Sequence, residues 1–265
     1  MNKKLIINAD DFGQNADISN AIIDLAAKKG ITSTTVMANS DFPMYMEKLE
    51  ASGLGIGLHL NLIEGKPLSE PATVFSLINE QGNFKNWQQL FTGFISGKVN
   101  KSHIEIEIAS QIEFLESFGI QISHIDSHKH IHQYPILGTF ILSVLKRKGI
   151  TKIRNCSPTS INSIQMKSIK VFSRLTKSSL LGFRTPDRLF SFFSTHITGD
   201  YSDFISSLKT EFKKHDCIEI MAHPSFENNQ YSYLNRKAEY LFLSKVKALI
   251  DKELQSVQLI SYNQL

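Results

Sequence analysis

Residues 123–135, SHIDSHKHIHQYP, place His124, His128, His130 and His132 within nine positions, in a chain of 265 residues with nine histidines. Imidazole ligates metals and moves protons near neutral pH, so the crowding asks for partners. Three other stretches supply them. NADDFG puts the adjacent carboxylates Asp10 and Asp11 at the end of an apolar run. LGIGLHLNL carries His59, and IMAHPSF carries His223 just before Pro224. Adjacent carboxylates are costly to bury uncompensated, and a divalent cation removes that cost. An aspartate with two histidines can bind such an ion and leave positions open for water and substrate. The ion polarises a carbonyl and lowers the pKa of its water. A spare carboxylate then serves as general base and a separate histidine as general acid. This inventory suits hydrolysis of an amide or ester. Each piece alone also has a plain reading: a satisfied core histidine at His59, a polar turn capping the first helix at Asp10-Asp11, and a solvated loop at the histidine cluster.

The surrounding pattern says how these residues meet. KLIINA, TSTTVMA, LGIGLHLNL, QISHIDSH, TKIRN, CIEIMAHP and SVQLISYN read as short strands. Between several of them lie helical periodicities. The first has Ile18, Ala21, Ile22, Leu25 and Ala26 on one face, with Gly30 placed to stop it. Another opens on a capping-box pattern at Ser102 and Glu105. Residues 155–200 yield no clear element. Repeated strand–helix units over this length predict one (β/α) barrel domain, residues 1–265, with an open doubly wound sheet as the alternative. Asp10, Asp11, His59, His128 and His223 then fall at the C-terminal ends of strands, where catalytic groups collect in such barrels. In LGIGLHLNL the parity that carries His59 also carries Gly55 and Gly57, which predicts open room beside the imidazole. Asp10 and Asp11 point to opposite faces of a regular strand, so the strand must break near Phe12-Gly13 for both to serve one pocket. Asp126 is placed to orient a neighbouring imidazole, and His130 and His132 are expected at the rim or in solvent.

Composition narrows the class. Net charge is +4 from 29 basic and 25 acidic residues, too small a surplus to imply nucleic acid. Two cysteines, Cys156 and Cys217, cannot build a disulfide framework or a cysteine zinc ribbon. No apolar run approaches the ~20 residues of a membrane span, and the N-terminal run is too short for a signal-peptide core. The expectation is a soluble, cytoplasmic protein. Residues 127–186 contain no Asp or Glu and eleven Lys and Arg; this reads as a solvated face or as an anion contact. No G-x-S-x-G elbow, P-loop or G-x-G-x-x-G stretch is present.

Taken together, NADDFG at 8–13, TSTTVMAN at 32–39, GIGLHLNL at 55–62, GKPL at 65–68, SHIDSHKHIH at 123–132, TPD at 185–187 and MAHPSF at 221–226 resemble the YdjC-like carbohydrate deacetylases, which include chitooligosaccharide deacetylase. The resemblance spans almost the whole chain in the family's order. It implies a deformed (β/α) TIM-like barrel and one divalent ion held by Asp11, His59 and His128. It further implies Asp10 as the base that activates water, His223 as the acid that protonates the departing amine, and release of acetate from a small N-acetylated saccharide. The family suggests magnesium, whereas two imidazoles suit zinc, manganese or cobalt. Arg154 is a candidate for orienting Asp10 or the substrate, Asp187 a candidate substrate contact, and relatives suggest a homodimer. Lys129 stands where relatives often carry a histidine, which points that position outward. A sugar-phosphate phosphoesterase using the same metal, and a non-catalytic saccharide-binding barrel, are the alternatives.

Overall fold

The computed structural model describes residues 3–40, 45–159, 164–191, 201–228 and 234–265. Among the described residues seven strands alternate with helices in chain order: β1 (Lys3–Phe12), α1 (Ala16–Ala27), β2 (Ser33–Val36), α2 (Met46–Glu50), β3 (Gly55–Leu60), α3 (Trp87–Ile95), α4 (Lys101–Glu116), β4 (Ile125–Ser127), α5 (Leu137–Arg147), α6 (Ile164–Leu175), β5 (Arg188–Ser191), α7 (Ser202–Phe212), β6 (Cys217–Ala222), α8 (Arg236–Glu253) and β7 (Val257–Leu259). The strands make one sheet in the order β4-β3-β2-β1-β6-β5, with β7 paired to β1. Every pairing is parallel.

The sheet curls into a deformed barrel. Between β4 and β5 the wall is made by single parallel bridges, Ile125 to Ile153 and Pro158 to Leu189, rather than by a full strand. The TKIRN segment expected as a strand is this bridging piece. The strand expected over QISHIDSH shrinks to three residues, and SVQLISYN forms a strand only over Val257–Leu259. In the region 155–200 the structure supplies α6 and β5; residues 160–163 and 192–200 lie outside the described residues.

Parallel strands are covered on both faces, so they read as near-continuous apolar runs. Leu5, Ile6, Ile7 and Ala9 of β1 are all fully buried, as are Leu58 and Leu60 of β3. α1 packs on β1 and α4 on β3, with Ile18, Ala21, Ile22 and Leu25 buried from α1 and Ile104, Ile108 and Leu115 from α4.

Three local expectations are corrected. α1 is capped by Asn15, whose side chain accepts from the Ile18 N–H, so neither aspartate caps it. α4 starts earlier than the Ser102–Glu105 pattern suggests, because Asn100 is its cap and accepts from Ser102 N–H. At the end of α1 the left-handed residue is Lys29, with φ of 57°. Gly30 serves a different need: a Cβ there would lie 2.4 Å from the Leu243 carbonyl oxygen of α8.

Candidate functional site

β1 does not simply end at the two aspartates; it kinks. The register with β2 runs Ala9 to Thr34 and then Phe12 to Val36, so β1 gains one residue on its neighbour. The extra residue is absorbed at Asp11, whose φ is +68°. A bulge of this kind re-aims a side chain. It overturns the strict alternation that would send Asp10 and Asp11 apart, and both carboxylates, almost wholly buried, face the barrel mouth.

Neighbouring parallel strands complete the set. His59 on β3 is in register with Asp126 on β4, and their Nδ1 and Oδ1 lie 2.7 Å apart. Thr35 Oγ1 donates to the other Asp126 oxygen at 3.1 Å. His59 Nε2 is thereby left facing Asp11 Oδ1 at 3.4 Å. His128, the first residue beyond β4, brings Nδ1 to 3.8 Å from the same oxygen, while its Nε2 lies 2.9 Å from Glu64 Oε2. One donor atom each from Asp11, His59 and His128 lies within 4.8 Å of the others. Donors sharing a tetrahedral ion with bonds of about 2.1 Å stand about 3.4 Å apart, so the three fit a divalent cation. The Asp126–His59 pair is the arrangement by which a carboxylate fixes the tautomer of a metal-binding imidazole. Burial disfavours charge on His59, yet Asp126, Asp11 and Asp10 outweigh it and push the imidazole up to about 9. Burial opposes ionisation of Asp11 too, but Arg236 and the surrounding imidazoles hold its carboxyl well below the usual range. This is a pocket built to attract positive charge.

Asp10 is held differently. Arg154 Nη1 and Nη2 each donate to one of its oxygens at 2.6 Å, and Asn8 Nδ2 donates to Oδ1 at 2.8 Å. Arg154 also contacts Asp126 Oδ2 at 2.6 Å and Glu219 Oε1 at 2.8 Å. It is fully buried among these three carboxylates. His223, directly after β6, sets Nε2 at 3.8 Å from Asp10 Oδ2. Its backbone N–H donates to Glu239 Oε2. Burial lowers the His223 pKa, with Asp10 and Asp11 opposing and Arg236 and Arg154 reinforcing the shift. Burial pushes the Glu239 carboxyl up to about 8 despite that N–H and nearby Arg236.

Other expectations change. Asp187 is not at this end: its Oδ2 accepts from the N–H groups of Asp216 and Cys217, where β6 begins. His132 is fully buried rather than at the rim. It accepts from Ser127 Oγ at 2.6 Å and donates through Nε2 to the Arg154 carbonyl at 3.0 Å. His130 is half-buried, with a Nδ1 that has no hydrogen-bond partner among the described residues. Lys129 and His130 both adopt positive φ, 51° and 59°, and this path turns His132 inward while Lys129 stays exposed. The room read beside His59 is also filled. A Cβ on Gly57 would meet His124 at 2.5 Å, so His124 occupies that space.

Sequence reasoning missed Glu64, Glu219, Arg236 and Glu239. Glu219 left a signal, a single carboxylate inside the apolar run CIEIMA, where an unpaired charge is not tolerated. Arg236, which donates to Asp11 Oδ2 at 2.6 Å, and Glu239 sit in the first turn of an ordinary amphipathic helix and left none.

Residues 4–256 match the model of a family described as YdjC-like protein. A protein of Enterococcus faecalis named carbohydrate deacetylase is 32% identical, covering 100% of this chain and 98% of its own. One of Geobacillus stearothermophilus with the same name is 29% identical over 100% and 98%. A chitooligosaccharide deacetylase of Escherichia fergusonii is 28% identical over 91% and 88%. Among solved structures, an Enterococcus faecalis protein described as a cellobiose-phosphate cleavage protein superposes with a TM-score of 0.75 at 28% identity, covering 100% of this chain and 99% of that one.

Proposed function

Because the chain belongs to the YdjC-like protein family, we infer that it is a carbohydrate N-deacetylase, which hydrolyses the acetamide of an N-acetylated sugar or short chitooligosaccharide to acetate and a free amine. Relatives of nearly equal length carry the deacetylase names. The observation that carries the reading is the meeting of Asp11, His59 and His128 beside Asp10 and His223 at one end of the barrel.

In this reading Asp11, His59 and His128 hold one divalent cation. When bound, the cation supplies Lewis-acid polarisation of the acetyl carbonyl and acidifies water. Magnesium is the ion suggested by family resemblance, and zinc, manganese or cobalt by the two imidazoles. Asp10 takes the proton of the attacking water, with Arg154 and Asn8 keeping its oxygens in line. His223 Nε2 gives a proton to the departing amine. Glu239 and the turn after β6 hold the backbone from which that imidazole projects. The buried thiols of Cys156 and Cys217 accord with work in the cytoplasm.

Protein loaded in turn with magnesium, zinc, manganese and cobalt should release acetate from N-acetylated di- and trisaccharides. No release with any such sugar under any of these ions overturns the reading. A second reading, cleavage of a sugar phosphate, draws on the description of the Enterococcus faecalis structure. Phosphate release in the same screen would favour it. Against it, the basic residues of 127–186 near the site are Arg154, enclosed by carboxylates, and Lys129, beside Glu64.

A further inference from the structure

Arg154 connects the candidate site to the opposite end of the barrel. After β7 the chain passes under the starts of β2 and β3, where the Tyr262 N–H donates to Ser33 Oγ at 3.0 Å. Gly55 leaves space for this passage, since a Cβ there would lie 3.2 Å from Tyr262 N. Lys152 Nζ secures the segment by donating to the carbonyls of Tyr262 and Asn263. The Tyr262 side chain is fully buried. Its ring stacks on His124, centroids 3.6 Å apart and planes within 5°, and its hydroxyl donates to Glu219 Oε2 at 2.6 Å.

Glu219 is fully buried, and burial pushes its carboxyl up to about 7 against the pull of Arg154 and the Tyr262 hydroxyl. Its two oxygens are divided: Oε2 takes the Tyr262 hydroxyl and Oε1 takes Arg154 Nε at 2.9 Å and Nη2 at 2.8 Å. A guanidinium has five N–H donors in a rigid plane. Arg154 donates through Nε to Glu219 and through Nη1 and Nη2 to Asp10, and Nη1 and Nη2 also lie at ion-pair distance from Asp126 Oδ2 and Glu219 Oε1, respectively. The rigid plane is gripped by Glu219 along one edge and by Asp10 along another, so it cannot tilt to follow a shifted Glu219 without loosening its grip on Asp10.

We propose that Tyr262 is a positioning residue for the deacetylation inferred above: its hydroxyl fixes Glu219, Glu219 fixes the Arg154 plane, and that plane aims Asp10. Removing the hydroxyl takes from Glu219 Oε2 its buried partner. The carboxyl then takes up a proton or rotates onto Arg154, and either response displaces the guanidinium from Asp10.

Tyr262→Phe tests this, since it keeps the stacked ring. Three quantities are measured: the NMR resonance of the Arg154 Nε–H, kcat and KM for acetate release, and Tm. The resonance should move, and kcat should fall about tenfold with KM held within about twofold, because misaiming a reacting group costs rate more than binding. Glu219→Gln should move the same resonance and lower kcat likewise, and serves if Tyr262→Phe does not fold. Ser33→Ala loosens the same segment without touching the hydroxyl, and should lower Tm while leaving the resonance and kcat in place. The proposal is overturned by an unmoved Arg154 resonance or an unchanged kcat in folded Tyr262→Phe. Equal losses in Ser33→Ala overturn it too, for packing alone would then account for them. The kinetic arm rests on the deacetylase reading. If the parent protein releases no acetate that reading fails, and the Arg154 resonance still decides the positioning.

Discussion

Asp10 and Asp11 are neighbours in sequence that answer to different arginines: Arg154 grips both oxygens of Asp10, while Arg236 takes Asp11 Oδ2 and leaves Oδ1 toward His59 and His128. The proposed division of labour follows from that geometry and is separable. Asp10→Asn should retain the divalent ion after dialysis yet lose about 10²–10⁴-fold in turnover, the scale of a removed general base. His59→Ala and His128→Ala should lose the ion, read by metal analysis of the same preparations. Equal metal loss in all three variants would refute the division. Asp126→Asn should keep the proposed ligands but weaken the ion's affinity about 10–100-fold in a competition titration with a chelator, because in the proposed division Asp126 orients His59 through their 2.7 Å contact; loss of the ion as complete as in His59→Ala would instead make Asp126 a ligand, within the second candidate group of Asp10, His59 and Asp126. At this scale the sequence was informative. The residues with rare types at strand ends were visible, as was Asp126 beside its imidazole. Arg236 and Glu239 were not, because a charged residue in the first turn of an amphipathic helix looks like any solvated one until the helix is docked.

At the scale of elements, the candidate site draws on the last residues of strands and the first residues beyond them: Asp10 and Asp11 end β1, His59 lies near the end of β3, and His128 and His223 directly follow β4 and β6. β4 has three residues, and the chain then takes two consecutive left-handed steps at Lys129 and His130. The sequence therefore placed Asp126 beside an imidazole but set His132 at the rim, whereas its burial depends on the path of that turn. The glycines of β3 were legible as gaps but not as filled ones. Gly57→Ala would set its methyl against the ring of His124 and its carbonyl oxygen, the latter at 2.7 Å. We expect a loss of ~1–3 kcal/mol, the usual cost of overpacking, seen as a lowered midpoint in denaturant with an unchanged m-value. An alanine there as stable as the parent would mean that His124 moves freely.

The whole molecule carries its buried titratable groups in two opposed sets, which gives a stability profile with a definite sign. His124 and His132 are pushed by burial to about 3 and about 4, and His130 and His223 are lowered as well, with the same first cause. An unfolded chain protonates these imidazoles first, so stability is lost as pH falls below their ordinary 6.5. Glu219, Glu239 and His59 act oppositely, raised to about 7, about 8 and about 9. The carboxyls ionise first in the unfolded chain and His59 loses its proton there first, so stability falls as pH climbs toward those values. The Tm of the protein kept in chelator should peak near about pH 6.5 and decline on both sides. Glu239→Gln should flatten the alkaline decline, and thermal melts across the range would show it; a Tm rising steadily to pH 9 would contradict the assignment. The barrel itself was legible from the alternation of apolar runs and helical periods. Its irregular wall between β4 and β5 was not, since single bridges leave no period to read. The kink at Asp11 has a consequence for anyone wishing to transplant this chemistry. Pasting an aspartate pair onto the tip of another parallel strand would deliver one carboxylate to the pocket and bury its twin behind the sheet. What must be copied is the backbone defect, with the neighbouring strand's register, and not the dipeptide.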